Sequence, residues 1–176
     1  MRTKNLLLGL LALSASAALF AAAPRLHVTE TVTIHAPVAK VWDAVKDFDH
    51  LNGWHPGIAQ DSIVEGQNDV VGAVRVLTLK DGGTVKERLL AYDPAKHTMK
   101  YSILEGVVPV SDYTATLSVS RAGPGRSLVT WSAHFRRKNT ADNPAENEND
   151  KTAVDTIKSI FRGGLDNLKK QLESAQ

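Results

Sequence analysis

The chain has 176 residues, of which 43% are hydrophobic and 23% charged; these are the proportions of one globular domain, and they exclude wholesale disorder and a chain of many membrane spans. The absence of cysteine excludes a disulfide framework, a zinc ribbon, a thiol nucleophile and a lipid-modified cysteine. The formal charge of +2 disappears once Arg2 and Lys4 are assigned to a removable leader, because the other 19 basic residues balance 19 acidic ones and leave no basic stripe for nucleic acid.

The leader occupies residues 1–23. Arg2 and Lys4 precede the apolar run Leu6–Leu13, and small residues follow from Ser14 to Ala23. That order is the one a secretory signal needs. Cleavage could follow Ala17 or Ala23. An uncleaved anchor is the alternative, since 6–23 just reaches spanning length. The expectation is a bacterial periplasmic or secreted protein that meets a membrane only through the leader before cleavage, with residues 24–176 forming its domain.

Leu26–Ile34 alternates, with Val28, Val32 and Ile34 on one face and Thr29, Thr31 and Thr33 on the other, and predicts a strand. Ala36-Pro37 ends it, and proline suits a helix start. Val38, Val41, Trp42, Val45 and Phe48 recur at helical spacing, and Asp49–Trp54 reads as a second helical turn closed by Pro56. Six extended stretches come next: Ile58–Glu65, Ala73–Lys80, Thr84–Tyr92, Thr98–Glu105, Ser111–Arg121 and Ser127–Arg137. Glycine, proline and aspartate punctuate them, as in a meander of antiparallel hairpins. Asn139–Asp150 is polar and reads as a loop, with Asp150 able to cap a helix starting there. Val154, Ile157, Ile160, Phe161, Leu165, Leu168 and Leu172 mark one face of that long C-terminal helix. Gly163-Gly164 inside it costs about 2 kcal/mol relative to alanine, so the pair is expected to permit a kink or a close approach.

Seven strands and one long amphipathic helix predict an α+β fold: a curved antiparallel sheet wrapped around the C-terminal helix, with two short helices after strand 1. Function then turns on whether the interior between sheet and helix is filled or hollow.

The informative residues are polar ones on faces that should be dry. Glu87 shares its strand face with Val85, Leu89 and Ala91. An inward carboxylate must pair, protonate or face a solvated cavity. Arg75 is the candidate partner, on a strand whose register the pattern leaves open. Tyr113 lies on the apolar face of the cleanest strand, and Tyr101 stands beside Met99 and Ile103. Each is either a core tyrosine with a satisfied hydroxyl or a cavity residue. His55, between Trp54 and Pro56, is placed at a rim. The candidate ligand-binding set is therefore Glu87, Tyr113, His55, Tyr101 and Arg75, with Trp54, Leu89, Trp131 and Phe161 as apolar lining. No nucleophile elbow, phosphate loop or dinucleotide fingerprint is present, and the six histidines show no metal-ligand spacing. No cofactor, metal or fixed catalytic residue is predicted.

Several stretches in order resemble the START-like superfamily, also called SRPBCC, polyketide cyclase/lipid transport or helix-grip proteins. They are Ala36-Pro37-x3-Val41-Trp42-x5-Phe48, Trp54-His55-Pro56-x-Ile58, Gly72-Ala73-Val74-Arg75, Glu87-Arg88-Leu89-x2-Tyr92-Asp93, Tyr113-x-Ala115-Thr116 and Gly164-Leu165-x2-Leu168-Lys169. Plant abscisic-acid receptors show a similar pattern. There the positions resembling Glu87 and Tyr113 are cavity residues, and that resembling His55 is a lysine that meets a ligand carboxylate. Histidine at 55 departs from this pattern, and so does the short loop Lys80–Gly83, so hormone binding is not implied. The leader, Leu77-Thr78-Leu79-Lys80-Asp81-Gly82-Gly83 and Asn143-Pro144-x2-Asn147-x2-Asp150 resemble exported MxaD-type proteins, which are associated with periplasmic methanol oxidation.

Three functions stand as expectations. The first is binding of a small hydrophobic or amphipathic molecule under the helix. The second is an accessory role with a periplasmic dehydrogenase or cytochrome. The third is a cyclase- or dehydratase-type enzyme with Glu87 as general base and Tyr113 or His55 as acid.

Overall fold

The computed structural model describes residues 24–174. The signal leader expected at residues 1–23 lies outside the described residues. Strand β1 (Leu26–Ile34) leads into helix α1 (Val38–Val45), and a single 3-10 turn (Leu51–Gly53) takes the place of the second short helix. Six more strands come after it: β2 (Ile58–Glu65), β3 (Val74–Leu79), β4 (Thr84–Asp93), β5 (Thr98–Gly106), β6 (Val110–Gly123) and β7 (Arg126–Arg137). Helix α2 (Asp150–Ser174) ends the fold.

The sheet runs β1-β7-β6-β5-β4-β3-β2, antiparallel throughout. After β1, the chain crosses to the far edge through α1 and the 3-10 turn. It then meanders back until β7 pairs with β1. The period-2 pattern explains why. Tyr113, Ala115, Leu117 and Val119 on β6, and Val129, Trp131, Ala133 and Phe135 on β7, are buried, and the residues between them face outward.

Helix α2 buries Ala153, Ile157, Phe161, Gly164, Leu165 and Leu168 on one face, the stripe the sequence predicts. Its N-terminal cap is Asn149 and not the expected Asp150. The Asn149 Oδ1 accepts the Thr152 N–H at 2.9 Å. Asp150 is held instead by Arg137, with Nη1 to Oδ1 at 2.7 Å. Polar bonds fix α2 over the sheet. Lys169 Nζ donates to the Thr33 carbonyl at 2.8 Å, Arg162 pairs with Glu30, and Asn167 Nδ2 donates to the Trp54 carbonyl at 2.8 Å.

The glycine pair resolves into two different roles. Helix α2 continues through both residues without a break. A Cβ on Gly163 would meet nothing within 4 Å. A Cβ on Gly164 would lie 2.5 Å from His55 Cδ2, 3.0 Å from Trp131 Cζ3 and 3.1 Å from Trp54 Cζ3. Gly164 is thus the point where three rings press against the helix backbone, a close approach rather than a kink.

Gly164→Ala is therefore expected to destabilise the fold by about 1–3 kcal/mol through overpacking. Gly163→Ala is expected to be neutral or to stabilise by up to about 1 kcal/mol, since helix propensity alone changes there. Urea unfolding of the two variants side by side measures the difference.

Candidate functional site

Helix α2 packs against β1 and β7, so one helix leaves the inner face of β3, β4 and β5 uncovered. The result is a cavity of about 490 Å³. Leu77, Val85 and Glu87 come from β3 and β4, and Tyr101 and Ile103 from β5. Tyr113 and Trp131 come from β6 and β7, and Ile157, Ile160 and Phe161 from α2. Lys80 and Asp81 in the β3–β4 turn stand at the mouth with Val107, Val108 and Pro109 from the β5–β6 connection. The two loops meet there. Val107 N–H donates to the Thr84 carbonyl at 3.1 Å, and a Cβ at Gly83 would lie 2.7 Å from a Val107 methyl. Glu87, Tyr101, Tyr113, Trp131 and Phe161 are buried, whereas Lys80, Asp81 and Val107 are exposed, so the polar groups named from the sequence lie at the deep end.

Glu87 is 5% exposed and Arg75 3%. The two are directly opposite each other on β4 and β3. Arg75 donates Nε and Nη2 to the same oxygen, Glu87 Oε2, at 2.8 and 2.6 Å. Its Nη1 donates to the Phe48 carbonyl and, at 3.2 Å, to Asp61 Oδ2. The guanidinium also lies over the Phe48 ring, 4.1 Å from its centroid. Asp61, on β2, has no exposed side-chain surface and accepts the Leu51 N–H at 2.9 Å on the same Oδ2. One cation thus serves two buried carboxylates. Burial raises the Glu87 pKa against the pull of Arg75. Burial likewise raises that of Asp61, opposed by Arg75 and the Leu51 N–H. For Arg75 burial works against the cation, but the two carboxylates outweigh it and hold its pKa above the usual value.

His55 is also buried, and both ring nitrogens are engaged. Nε2 donates to the Ile160 carbonyl on α2 at 2.9 Å, and Nδ1 accepts the Gly57 N–H at 3.0 Å. This is the neutral imidazole with its proton on Nε2. Burial lowers its pKa, with the Ile160 carbonyl pulling the other way. His55 is a strut between the loop and α2, with no ring nitrogen left for a ligand.

The two tyrosines form a second polar group. Trp131 Nε1 donates to the Tyr101 hydroxyl at 2.8 Å. Tyr113 lies beside Tyr101, with ring centroids 6.3 Å apart. Burial raises the pKa of both, so both stay protonated at neutral pH. Trp131 stacks on Phe161 with centroids 4.3 Å apart, which closes the wall towards α2.

Of the residues singled out in the sequence, Glu87, Tyr113, Tyr101, His55, Trp131 and Phe161 line the cavity. Arg75, Trp54 and Leu89 do not. Arg75 is drawn behind Glu87 by its ion pairs. Trp54 packs on Trp131 with centroids 5.4 Å apart, and Leu89 is fully buried in the core. Asp61 was missed. A register shift between Ile58 and Gln60 breaks the inward–outward alternation of β2 just before it. The signal available was an acidic residue inside a strand. Ile103 and Val107–Pro109 were missed as lining: β5 pairs with β6 only over Thr98–Ser102, and beyond that Ile103 is paired on one side alone, opposite Glu87 on β4.

The chain matches the family model described as polyketide cyclase / dehydrase and lipid transport over residues 25–173. Among characterised proteins it is similar to the abscisic acid receptor PYL6 of Arabidopsis thaliana, 26% identical over 151 residues. That match takes in 80% of this chain and 66% of the receptor, so the chain spans just under two thirds of that relative's length. Among solved structures it is similar to the protein XoxI from Bacillus cereus, with a TM-score of 0.72, 28% identity and coverage of 83% of this chain and 94% of that one. It is also similar to an uncharacterised protein from Bacillus thuringiensis, with a TM-score of 0.73, 28% identity and coverage of 84% and 98%.

Arg75→Met leaves two buried carboxylates without their cation, and is expected to destabilise the fold by about 3–5 kcal/mol in urea unfolding. His55 contributes in the opposite sense to a group stabilised by gaining charge. Its folded pKa lies below the usual 6.5, so the unfolded chain binds the proton more readily. The stability it provides is complete above pH 6.5 and drains away as the pH falls below that value towards its folded pKa. Unfolding measured between pH 7 and pH 5 is expected to show a shallower loss for His55→Gln than for the native chain.

Proposed function

The chain belongs to the polyketide cyclase / dehydrase and lipid transport family, and on that premise we propose that it holds a small hydrophobic or amphipathic molecule in the cavity between the sheet and α2. The observation that carries this reading is the hollow itself. About 490 Å³ stays open under a well-packed helix, with mostly apolar walls and a few polar groups at the deep end. That is the make-up of a small-molecule site, since apolar walls supply affinity and sparse polar groups supply orientation. On the leader pattern of residues 1–23 we further propose that the protein works outside the cytoplasm.

An enzymatic role for Glu87 ranks below binding. That reading pairs Glu87 as base with Tyr113 or His55 as acid. His55 has both nitrogens occupied, and Tyr113 holds its proton more firmly than a free phenol. An accessory role with a periplasmic dehydrogenase or cytochrome is the second reading. It rests on the MxaD-type stretches and on Val64 near the end of β2 and Val70 and Val71 in the β2–β3 connection, which are 51%, 52% and 58% exposed. Co-purification from a periplasmic extract tests it.

Native mass spectrometry of the protein purified without detergent is expected to show a bound small molecule. A panel of hydrophobic compounds is expected to raise Tm, because a ligand at a hundred times its Kd stabilises the fold by about 2.7 kcal/mol. No adduct and no shift across the panel would overturn the binding reading.

A further inference from the structure

We propose that the cavity receives a molecule whose inserted end donates hydrogen bonds, an alcohol or an ammonium, and that it selects against a molecule entering carboxylate first. This deepens the ligand-binding reading above and rests on it.

The two oxygens of Glu87 have different surroundings. Both bonds from Arg75 end on Oε2. Those bonds leave Oε1 free. Among the described residues Asp61 Oδ1 alone is a fully buried side-chain atom without a partner, so Oε1 keeps open surface, and Glu87 lines the cavity. A carboxylate oxygen only accepts, so the group that meets Oε1 must donate. The Tyr113 hydroxyl on the same wall both donates and accepts, and therefore satisfies an alcohol but does not by itself choose between partners.

The cations of the site settle which end groups are refused. Arg75 does not line the cavity, and its nitrogens are committed to Glu87, Asp61 and the Phe48 carbonyl. His55 lines it with an Nδ1 that accepts from Gly57 and an Nε2 that donates to Ile160. Lys80 is the fixed cation among the lining residues, and it stands at the exposed mouth. The deep wall therefore presents one carboxylate, Glu87, backed by a cluster in which it and Asp61 share one guanidinium. A third carboxylate would face like charge where water cannot screen it.

An acid could still enter tail first, with its carboxylate beside Lys80. Its hydrocarbon end would then cover Oε1 and leave a buried acceptor unpaired. That arrangement lowers affinity by roughly a factor of five to a hundred, so an acid remains the weaker ligand in either direction.

The test uses the purified protein at pH 7 and a chain-matched series. Octan-1-ol, octylammonium, octanoate and methyl octanoate compete with the neutral fluorophore N-phenyl-1-naphthylamine. The alcohol and the ammonium are expected to displace it at concentrations at least tenfold lower than octanoate. Methyl octanoate, which accepts but cannot donate, is expected to be several-fold weaker than the alcohol. The order of alcohol and ammonium tells which donor the site prefers. Glu87→Gln, which supplies an amide donor, is expected to bring octanoate within about threefold of the alcohol. Octanoate or its ester binding as tightly as octan-1-ol to the native protein would overturn the proposal while leaving ligand binding intact, and needs no variant. A folded Glu87→Gln that still refuses octanoate would also overturn it. Failure of the fluorophore and all four compounds to bind removes the cavity reading, and this proposal with it.

Discussion

Arg75 is a positive charge held out of water by three strands and a loop. Its guanidinium reaches Glu87 on β4, Asp61 on β2 and the Phe48 carbonyl just after α1. Removing such a cation from water costs several kcal/mol, and only well-formed partners recover it. The arrangement therefore tolerates little movement in any of the elements that contribute. It fixes the far edge of the sheet against the α1 connection without help from α2. That independence lets the sheet stay curved where the helix does not reach. A cavity bordered by mobile strands would collapse; one bordered by a buried ion cluster keeps its floor.

At the other end of the interior the constraint is steric. Gly164 lets His55, Trp131 and Trp54 approach the α2 backbone to distances a side chain would forbid. His55 then reaches the Ile160 carbonyl, one turn earlier on the same helix. Trp131 turns its indole N–H to Tyr101 and its face to Phe161. Both rings are thereby used twice, for packing and for polar satisfaction. The helix is held close over β1 and β7 and left clear of β3–β5. The hollow is the consequence of where the one helix is pinned.

The sequence made the fold legible because both periods were clean. Alternation on β6 and β7 and the helical stripe on α2 need no information beyond neighbouring residues. The inward direction of Glu87 was legible for the same reason, from Val85 and Leu89 beside it. What those residues could not report was pairing across the sheet. Whether Glu87 meets Arg75 or an open cavity depends on the register of β3. The structure answers with both, one carboxylate oxygen for each. Asp61 was hidden by the bulge ahead of it in β2. The state of His55 depended on a carbonyl 105 residues away, and no local pattern carries that.

Position 55 adds no cation to the interior: it holds an imidazole kept neutral by burial and by two hydrogen bonds. Glu87 lines the cavity, and its own cation, Arg75, lies behind it. Two carboxylates around one guanidinium leave an excess of acceptors, and an excess of acceptors is satisfied only by donors. The fold leaves a hollow under the helix; on the proposed binding reading, the direction in which Arg75 points is what would set which end of a molecule goes in first.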